Sequence, residues 1–432
     1  MKLSRYNFTY AFPNGVYAAY NSFSNALALI NKTEYEFLNE PGILSTDNLT
    51  NKTIDSLRAG SFIIDDQVNE LELIRERLLR SRYNTTSLGL TIAPTLNCNF
   101  RCTYCYEKGC KKSGIMSDTT QKSIIDFVKH YSKTIDYLDV TWYGGEPLLA
   151  MATIEILSAA FKEICFDNGI HYSSSIVTNG YLLTQEIVAR LVNCSIAHCQ
   201  VTIDGTREQH NTRRPHVTGV DTYDTILENV CTASTNFPVG VRVNLDKNNK
   251  NAIYSVRDTL IKMGASNVTV YPAPIRSSND CYNEDACFKT PDFLVCECEY
   301  YESLDTLESS MLKYPRLQSN ACCADSLNAY VISPNGNLYK CWSDIGIDNL
   351  CIGNINTGII DLAQSIRYLK YDPTRDVHCQ ECKFMPICIG GCPREVIDRP
   401  DDRCPYTEEL HKKYLERIIL LTNMEELETN EV

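Results

Sequence analysis

The chain has 432 residues, which is enough for two or three domains with buried cores. Lysine and arginine total 41 against 54 aspartate and glutamate residues, so the net charge is −13 and the overall field repels nucleic acid and anionic membrane surfaces. The N-terminus lacks an apolar targeting segment and no stretch is apolar enough to span a bilayer, so we expect a soluble cytoplasmic protein with no nucleic-acid or membrane partner.

The sequence of residues 1–82 predicts a small module in which a hairpin is followed by helices. The predicted strands Tyr6–Phe12 and Val16–Tyr20 flank the turn Pro13-Asn14-Gly15, and helical patterns follow, the last of them over Glu70–Arg82. No residue types suited to catalysis gather in this module. It is therefore either a structural cap or a docking module whose strand edge takes up an extended peptide.

Residues 83–275 predict an α/β fold, a partial (β/α)6 barrel with a parallel sheet. The predicted strands are Leu88–Ala93, Tyr137–Tyr143, His171–Thr178, Cys199–Ile203, Val239–Asn244 and Asn267–Pro272. The helical patterns between them are Thr119–Lys133, Ala152–Asn168, Thr184–Asn193, Tyr223–Thr235 and Ala252–Met263. In such a sheet the ligand site lies at the carboxyl ends of the strands.

The rest of the chain is predicted to form a bridging region (276–320), a cysteine-rich domain (321–406) and a C-terminal helix with a tail (407–432). A second hairpin is predicted from Ala329–Ile332 and Leu338–Lys340 around the turn Pro334-Asn335-Gly336. The C-terminal helix is predicted over 407–427, with an acidic, frayed tail from Glu425.

The 21 cysteines favour metal or cluster binding over disulfides, because they form CxxC-like groups in a long chain without a signal segment. Cys98, Cys102 and Cys105 form a CxxxCxxC motif directly after the first barrel strand. Iron–sulfur clusters normally have four thiolate ligands, so a three-cysteine loop leaves one iron with an open coordination position. Zinc is the alternative for such short spacings.

The next strand end favours the cluster, because it reads Trp142-Tyr143-Gly144-Gly145-Glu146-Pro147. Two glycines allow close backbone approach, and the carboxylate can accept from an ammonium group. With this motif the chain resembles the radical S-adenosylmethionine (SAM) enzymes. The resemblance implies that Cys98, Cys102 and Cys105 hold a [4Fe–4S] cluster whose open iron binds SAM. It also implies that Gly144, Gly145 and Glu146 meet the SAM amino group, that Tyr104 lies near adenine and that Thr202 contacts the ribose.

Two further strand ends fit this site, Thr178-Asn179-Gly180 and Thr202-Ile203-Asp204-Gly205. Each alone is an ordinary turn sequence, but they follow successive strands of one barrel and so reinforce each other. His210, Arg213 and Arg214 suggest either a carboxylate clamp or solvated loop charges. We interpret them as solvated loop charges and assign them no role.

The C-terminal cysteines resemble the seven-cysteine SPASM extension of radical SAM enzymes. The resemblance implies two auxiliary [4Fe–4S] clusters, and so three clusters in all. One would be held by Cys379, Cys382, Cys388 and Cys404, the other by Cys323, Cys341 and Cys392. The fourth ligand of the second cluster is Cys322, Cys281 or Cys287, or that position is open. A zinc ribbon would explain four of these cysteines but not the remaining three.

The overall layout and the segment Asn335–Trp342 resemble maturases of cysteine-rich peptides, of the ranthipeptide or sactipeptide type, which install thioether crosslinks. In the sulfatase-maturating branch an aspartate follows the cysteine equivalent to Cys341, and Trp342 at this position argues against that branch. The resemblance implies a cysteine-containing precursor peptide with a leader, gripped by residues 1–82, and an electron donor such as flavodoxin or ferredoxin. Carbon–carbon crosslinking and epimerisation of a peptide are the enzymatic alternatives. A non-catalytic iron–sulfur or zinc scaffold is the other alternative, although a scaffold needs no SAM pocket.

Overall fold

The computed structural model describes residues 1–39, 49–109, 114–277, 281–304 and 314–430, with the backbone alone over 423–430. Cys110 and parts of the predicted bridging region 276–320 lie outside these residues. The strands are β1 (Lys2–Leu3), β2 (Asn7–Ala11), β3 (Tyr17–Asn21), β4 (Ala26–Ile30), β5 (Ile63–Ile64), β6 (Ser87–Ile92), β7 (Tyr137–Trp142), β8 (His171–Thr178), β9 (Ile196–Thr202), β10 (Val239–Leu245), β11 (Val268–Pro274), β12 (Ala329–Ile332), β13 (Asn337–Tyr339), β14 (Gly353–Asn354) and β15 (Gly358–Ile359).

The helices are α1 (Lys32–Asn39), α2 (Asn51–Ala59), α3 (Glu70–Arg82), α4 (Asp118–Tyr131), α5 (Met151–Asn168), α6 (Gln185–Asn193), α7 (Arg207–Arg213), α8 (Tyr223–Ser234), α9 (Ala252–Lys262), α10 (Thr290–Glu302), α11 (Leu362–Ser365), α12 (Val377–Gln380), α13 (Met385–Cys388), α14 (Pro393–Asp398) and α15 (Glu408–Asn430). Within the described ranges, none of the helices has the length and apolar composition needed to cross a membrane.

The chain divides into two compact units. The central unit comprises Asn84–Lys289 and Ser326–Tyr368, and the terminal unit comprises Met1–Tyr83, Thr290–Asp325 and Leu369–Val432. In the central unit, strands β6 to β11 pair in parallel in chain order, each with the next. This arrangement confirms the predicted α/β fold. Strand β8 has the predicted bounds, whereas β9 begins three residues earlier than predicted.

The strands of the central sheet follow from a period of two in the sequence. Along β7, Leu138, Val140 and Trp142 are buried while Tyr137 and Asp139 are exposed, because successive side chains point to opposite faces. Since the strands are parallel, their carboxyl ends meet at one edge of the sheet. The loops that leave this edge carry the candidate site.

The second predicted hairpin, β12–β13, is confirmed and extends the central sheet. Strand β13 pairs with β12 in antiparallel register, with Ile332 opposite Leu338. Strand β12 pairs in parallel with β6, with Ile332 opposite Ile92. This junction was not predicted, because local patterns do not reveal which distant strand a hairpin edge will join. The sheet therefore has four strands beyond the six predicted, in the order β12-β13-β14-β15.

The terminal unit contains the antiparallel sheet β2-β3-β4. The pairing of β2 with β3 confirms the predicted N-terminal hairpin, and β4 is an additional strand that was not predicted. Helix α15 packs Leu415 and Ile419 against the hairpin residues Phe8 and Tyr20. The predicted frayed tail from Glu425 is wrong up to Asn430, because α15 continues to that residue; glutamate and leucine are good helix formers.

Residues 1–82 share a core with a cysteine-bearing loop of the same unit. Tyr6, Ile74 and Leu78 form one buried group with Cys379 and neighbouring apolar residues of that loop. The Ser22 hydroxyl also donates to the backbone carbonyl of this loop, at 2.5 Å. Deleting residues 1–82 would therefore uncover the loop, so tests of a docking role need point substitutions instead.

A buried histidine predicts acid sensitivity in the terminal unit. His411 is 2% exposed and its Nδ1 lies 2.8 Å from the Tyr10 hydroxyl. Burial lowers its pKa from 6.5 to about 3. Below pH 6.5 the unfolded chain therefore takes up a proton that the folded chain refuses, so stability falls as the pH falls, by about 1.4 kcal/mol per pH unit for this group.

His411→Asn keeps a polar partner for Tyr10 and removes this titration. Between pH 6.5 and 5.5 the wild-type chain should lose about 1 kcal/mol more unfolding free energy than the variant, because the unfolded histidine is only half protonated at the start of this range. Denaturant unfolding at the two pH values measures the difference. An equal loss in both proteins would show that His411 is not the source.

Candidate functional site

The three cysteines of the CxxxCxxC motif lie in one loop after β6, and all are partly buried. Apart from two isolated bridges, Phe100 with His216 and Thr95 with Ile115, the described part of this loop contains no strand or helix. Three backbone hydrogen bonds tie it to residues 213–217: Arg101 N–H to Pro215 O at 2.8 Å, Thr103 N–H to Arg213 O at 2.9 Å, and Val217 N–H to Asn99 O at 2.8 Å. The cysteine loop is therefore held in place by a segment that lies roughly 110 residues further along the chain.

The three thiols lie within electrostatic range of one another. Burial raises the pKa of Cys98 and Cys105 to about 11 and also raises that of Cys102. In addition, Cys102 raises the pKa of Cys98, Cys98 that of Cys105, and Cys105 that of Cys102. The Arg214 guanidinium acts in the opposite direction on all three. Binding of a metal displaces such thiol protons, so the affinity of the site for metal depends on pH.

Tyr104 lies in a hydrogen-bonded network beside the cysteines. Its hydroxyl donates to Asp204 and accepts from Arg214 Nη1 at 2.7 Å and from Asn244 Nδ2 at 3.1 Å. Asp204 is fully buried, and its other oxygen accepts the Asn244 N–H at 3.1 Å. Arg214 is 7% exposed, and its Nε has no hydrogen-bond partner in the described part of the chain. A buried guanidinium with an open donor suits an anionic ligand.

The interpretation of His210, Arg213 and Arg214 as solvated loop charges is wrong. His210 is fully buried, and its Nδ1 accepts the Asp204 N–H at 3.3 Å. The Arg213 side chain is 12% exposed and its Nη1 donates to Asp246 at 3.0 Å. Arg214 joins the Tyr104 network described above. All three side chains therefore belong to the edge of the sheet that carries the cysteine loop.

Helix α7 places these side chains, and a signal for this helix was present in the sequence. Thr206 and Gln209 form a capping box at its start, the Thr-x-x-Gln pattern that typically opens a helix. Gly205 precedes it with φ +106°, and a Cβ there would lie 2.9 Å from the Ala252 side chain. The burial of the charges depends on distant contacts, which local patterns do not reveal.

The two glycines of the GGE motif pack against the cysteine loop. A Cβ at Gly144, which has φ +106°, would lie 2.5 Å from the Thr95 carbonyl oxygen. A Cβ at Gly145 would lie 2.6 Å from the Leu96 carbonyl oxygen and would also overlap the Asn97 carbonyl. These positions therefore need glycine because the loop backbone approaches them closely, whatever ligand the site binds.

The Glu146 carboxylate is fully buried and joins two strand ends. One oxygen accepts the Thr178 hydroxyl at 2.7 Å and the Leu148 N–H at 3.1 Å, and the other accepts the Asn179 N–H at 2.8 Å. Burial raises its pKa, while these donors oppose the shift. Asn179 in turn donates from Nδ2 to Asn99 Oδ1 at 2.8 Å, within the cysteine motif. Glu146 therefore connects the ends of β7 and β8 to the cysteine loop.

Thr202, the predicted ribose contact, is the last residue of β9 and is buried at the same edge of the sheet. It pairs in register with Arg242 of β10. The structure thus brings Tyr104, Gly144, Gly145, Glu146 and Thr202 to the loops and strand ends around the three cysteines, all in the central unit.

The predicted auxiliary-cluster cysteines are divided between the two units. Cys341 belongs to the central unit, and the terminal unit holds the others: Cys323, Cys379, Cys382, Cys388, Cys392 and Cys404. Burial, together with the neighbouring thiols Cys379, Cys382 and Cys404, raises the pKa of Cys388 to about 12. These four thiols therefore lie within electrostatic range of one another, which suits a shared metal group.

The three candidates for the remaining ligand have different surroundings. In the terminal unit, Cys322 raises the pKa of Cys392, and a hydrogen bond with Cys323 raises the pKa of Cys322 itself. In the central unit, the Cys281 thiol donates to the Tyr104 carbonyl at 3.4 Å, and Cys287 donates to the Asn283 carbonyl at 3.6 Å.

The donor set of the first loop fits an iron–sulfur cluster with one open iron. Three thiols lie within electrostatic range of one another with no fourth in the motif, and beside them lies a guanidinium whose Nε has no partner among the described residues. Among the residues described, no three His, Cys, Asp or Glu side chains gather closely enough to hold a single metal ion. The ligands of a cubane each bind a different iron and have no need to converge on one point.

Comparison with known proteins gives a family match over the central unit. Residues 92–259 match the family model of the radical SAM superfamily. A cysteine-type anaerobic sulfatase-maturating enzyme from Clostridium perfringens (strain 13 / Type A) is 24% identical over 351 residues, which cover 73% of this chain and 91% of that protein.

Solved structures share the fold of this chain. Native anSMEcpe with bound AdoMet has a TM-score of 0.60 at 20% identity, over 78% of this chain and 99% of that one. SuiB of Streptococcus suis bound to the precursor peptide SuiA has a TM-score of 0.51 at 14% identity, over 94% of this chain and 99% of that one. Both likenesses extend well beyond residues 92–259.

Proposed function

We propose that the chain matures a ribosomally made peptide by forming an intramolecular thioether. Residues 92–259 form a radical SAM domain, so the chain is an enzyme of radical chemistry. The proposal rests on the three-cysteine loop. Gly144 and Gly145 pack against its backbone, and Glu146 connects it to the end of the next strand. The domain implies a [4Fe–4S] cluster and SAM.

In this proposal Cys98, Cys102 and Cys105 hold the SAM-binding cluster. When bound, this cluster and SAM would supply a 5′-deoxyadenosyl radical that takes a hydrogen atom from a peptide carbon, and auxiliary clusters would supply a one-electron acceptor. The two glycines keep the loop in position, and Glu146 fixes the strand ends around it. The open donor of Arg214 meets an anionic group, for which the SAM carboxylate is the suitable partner.

The remaining cofactor contacts follow the resemblance to the family. Tyr104 would lie near adenine, with its hydroxyl fixed by the surrounding network, and Thr202 would contact the ribose. Two auxiliary clusters complete a set of three. Cys379, Cys382, Cys388 and Cys404 would hold one of them, and Cys323, Cys341 and Cys392 three corners of the other. Mutual electrostatic coupling of the first four thiols supports their grouping.

The peptide substrate is supported by the similar proteins, among which SuiB binds a precursor peptide. A cysteine of the peptide would supply the sulfur. Forming the carbon–sulfur bond from a carbon radical and a thiol releases one proton and one electron, so the peptide loses two hydrogen atoms in all. Residues 1–82 would hold the leader, and a flavodoxin or ferredoxin would deliver the starting electron in the cytoplasm.

The mass of the peptide after reaction tests this proposal. A small cysteine-rich open reading frame beside the gene would supply the candidate peptide, which is incubated anaerobically with reconstituted enzyme, SAM and reductant. We expect two hydrogen atoms fewer and one cysteine that no longer reacts with iodoacetamide. A Cys102→Ala variant should leave the peptide unchanged. Loss of two hydrogens with every cysteine still reactive would instead indicate carbon–carbon crosslinking.

Epimerisation is the second candidate, because one observation favours it. The Cys281 thiol lies 3.4 Å from the Tyr104 carbonyl, beside the cysteine loop. A thiol in this place is suited to return a hydrogen atom to a substrate radical. The same experiment in deuterated water separates the two functions, since epimerisation adds one deuterium and forms no crosslink.

A further inference from the structure

Three aromatic side chains of the central unit, Tyr106, Tyr143 and Trp342, contact one another beside the cysteine loop. Tyr106 directly follows Cys105, and Tyr143 directly precedes the GGE motif. The Tyr106 hydroxyl donates to the Tyr143 hydroxyl at 2.6 Å. The Trp342 ring stacks on the Tyr143 ring, with centroids 5.3 Å apart and an angle of 20° between the planes. Trp342 is thus anchored to the carboxyl end of β7.

Trp342 remains 43% exposed although its ring is stacked on Tyr143. The other tryptophan of the chain, Trp142, is fully buried. Leaving a large indole surface in water costs free energy that a ligand recovers when it covers the ring. Tryptophans anchored in this way are enriched among the residues that contribute most to binding interfaces.

The groups around the Trp342 ring are uncharged or already engaged. The Tyr106 and Tyr143 hydroxyls are hydrogen-bonded to each other, and the Glu107 carboxylate beside them is buried, 3.3 Å from the Tyr106 hydroxyl. Asp344, two residues beyond Trp342, is 2% exposed, and its two carboxylate oxygens accept the Tyr368 hydroxyl at 2.8 and 3.0 Å. The surface that Trp342 offers is therefore suited to apolar and stacking contacts.

We propose that Trp342 is a positioning residue, whose indole stacks on an apolar or planar side chain of the substrate peptide and holds the reacting segment beside the cysteine loop. This inference rests on the proposed function, because it takes the substrate to be a peptide. Tyr143 stacks on the indole and is itself held by the Tyr106 hydroxyl, so the Trp342 ring loses less conformational entropy when a ligand binds. The substrate class is thereby narrowed to peptides with an apolar or planar residue near the reaction site.

The test compares Trp342→Ala and Trp342→Phe with the wild-type holoenzyme, using the candidate peptide at varied concentration. We expect the KM for the peptide to rise roughly ten-fold in Trp342→Ala, with a smaller change in kcat, and to recover most of its value in Trp342→Phe. Anisotropy of a fluorescein-labelled peptide should show the same loss of affinity. Iron content, measured on each variant, verifies that the fold and the clusters are retained.

Phe166→Ala is the matched control, since Phe166 is an exposed aromatic residue, 88% accessible, near the end of α5. It should bind the peptide as the wild type does. Unchanged KM and affinity in Trp342→Ala, while the wild type modifies the peptide, would overturn this inference alone. A wild-type enzyme that neither binds nor modifies the peptide would overturn the proposed function, and this inference with it.

Discussion

Replacing Gly145 by alanine is expected to remove the radical SAM cluster from the protein. The new Cβ would lie 2.6 Å from the Leu96 carbonyl oxygen and would overlap the Asn97 carbonyl. Both are backbone atoms, which cannot rotate away as a flexible side chain can, so the cysteine loop must shift. Displacement of a reacting group by about 1 Å can cost about a hundred-fold in rate. We therefore expect about four irons fewer per chain and at least a hundred-fold slower SAM cleavage.

Gly109→Ala is the matched control for this substitution. Gly109 lies shortly after the third cysteine, but among the described residues no atom lies within 4 Å of a Cβ placed there. Its iron content and SAM cleavage should equal those of the wild type. Full iron content and normal cleavage in Gly145→Ala would contradict the role of this glycine in holding the loop.

Replacing Arg214 by glutamine should weaken SAM binding at least ten-fold. Arg214 is buried, donates to Tyr104 at 2.7 Å and has no partner for its Nε–H among the residues that the structure describes. A hydrogen bond to a charged group contributes about 1.5–3 kcal/mol, which corresponds to roughly 10- to 150-fold in affinity. Equilibrium dialysis with labelled SAM measures this change.

The same substitution should slow the reaction of Cys102 in the apoprotein. Arg214 lowers the pKa of that thiol, so its loss raises the pKa and leaves less thiolate at a given pH.

Arg207→Gln is the matched control, because Arg207 is half exposed and pairs with Asp224. Equal SAM affinity in the Arg214 and Arg207 variants would show that Arg214 does not meet the ligand.

The barrel strands could be predicted from the sequence because their signals are local. In β8, His171–Thr178, the pattern fixed both ends, and the turn Asn179-Gly180 marked the stop. The pairing of β12 with β6 could not be predicted, because it joins segments roughly 240 residues apart by backbone hydrogen bonds. Such bonds carry no sequence signature. Strand β4 was missed although it alternates weakly, since its side chains are only partly buried.

The candidate site was predicted in its components and not in its connections. The three cysteines and the GGE motif are contiguous in the sequence and could be identified there. The sequence suggested that the glycines admit a ligand, whereas the structure shows them packed against the cysteine loop. Arg214 was missed because charged residues are mostly exposed, and its burial depends on Tyr104, 110 residues earlier in the chain.

The release of 5′-deoxyadenosine tests the central claim most directly. The anaerobically reconstituted chain is reduced with dithionite in the presence of SAM, and the products are separated by liquid chromatography with mass detection. We expect 5′-deoxyadenosine and methionine from the wild type and neither from a variant with Cys98, Cys102 and Cys105 replaced by alanine. Absence of 5′-deoxyadenosine from a wild-type protein that has bound its iron and been reduced would contradict the account and favour a non-catalytic iron–sulfur scaffold.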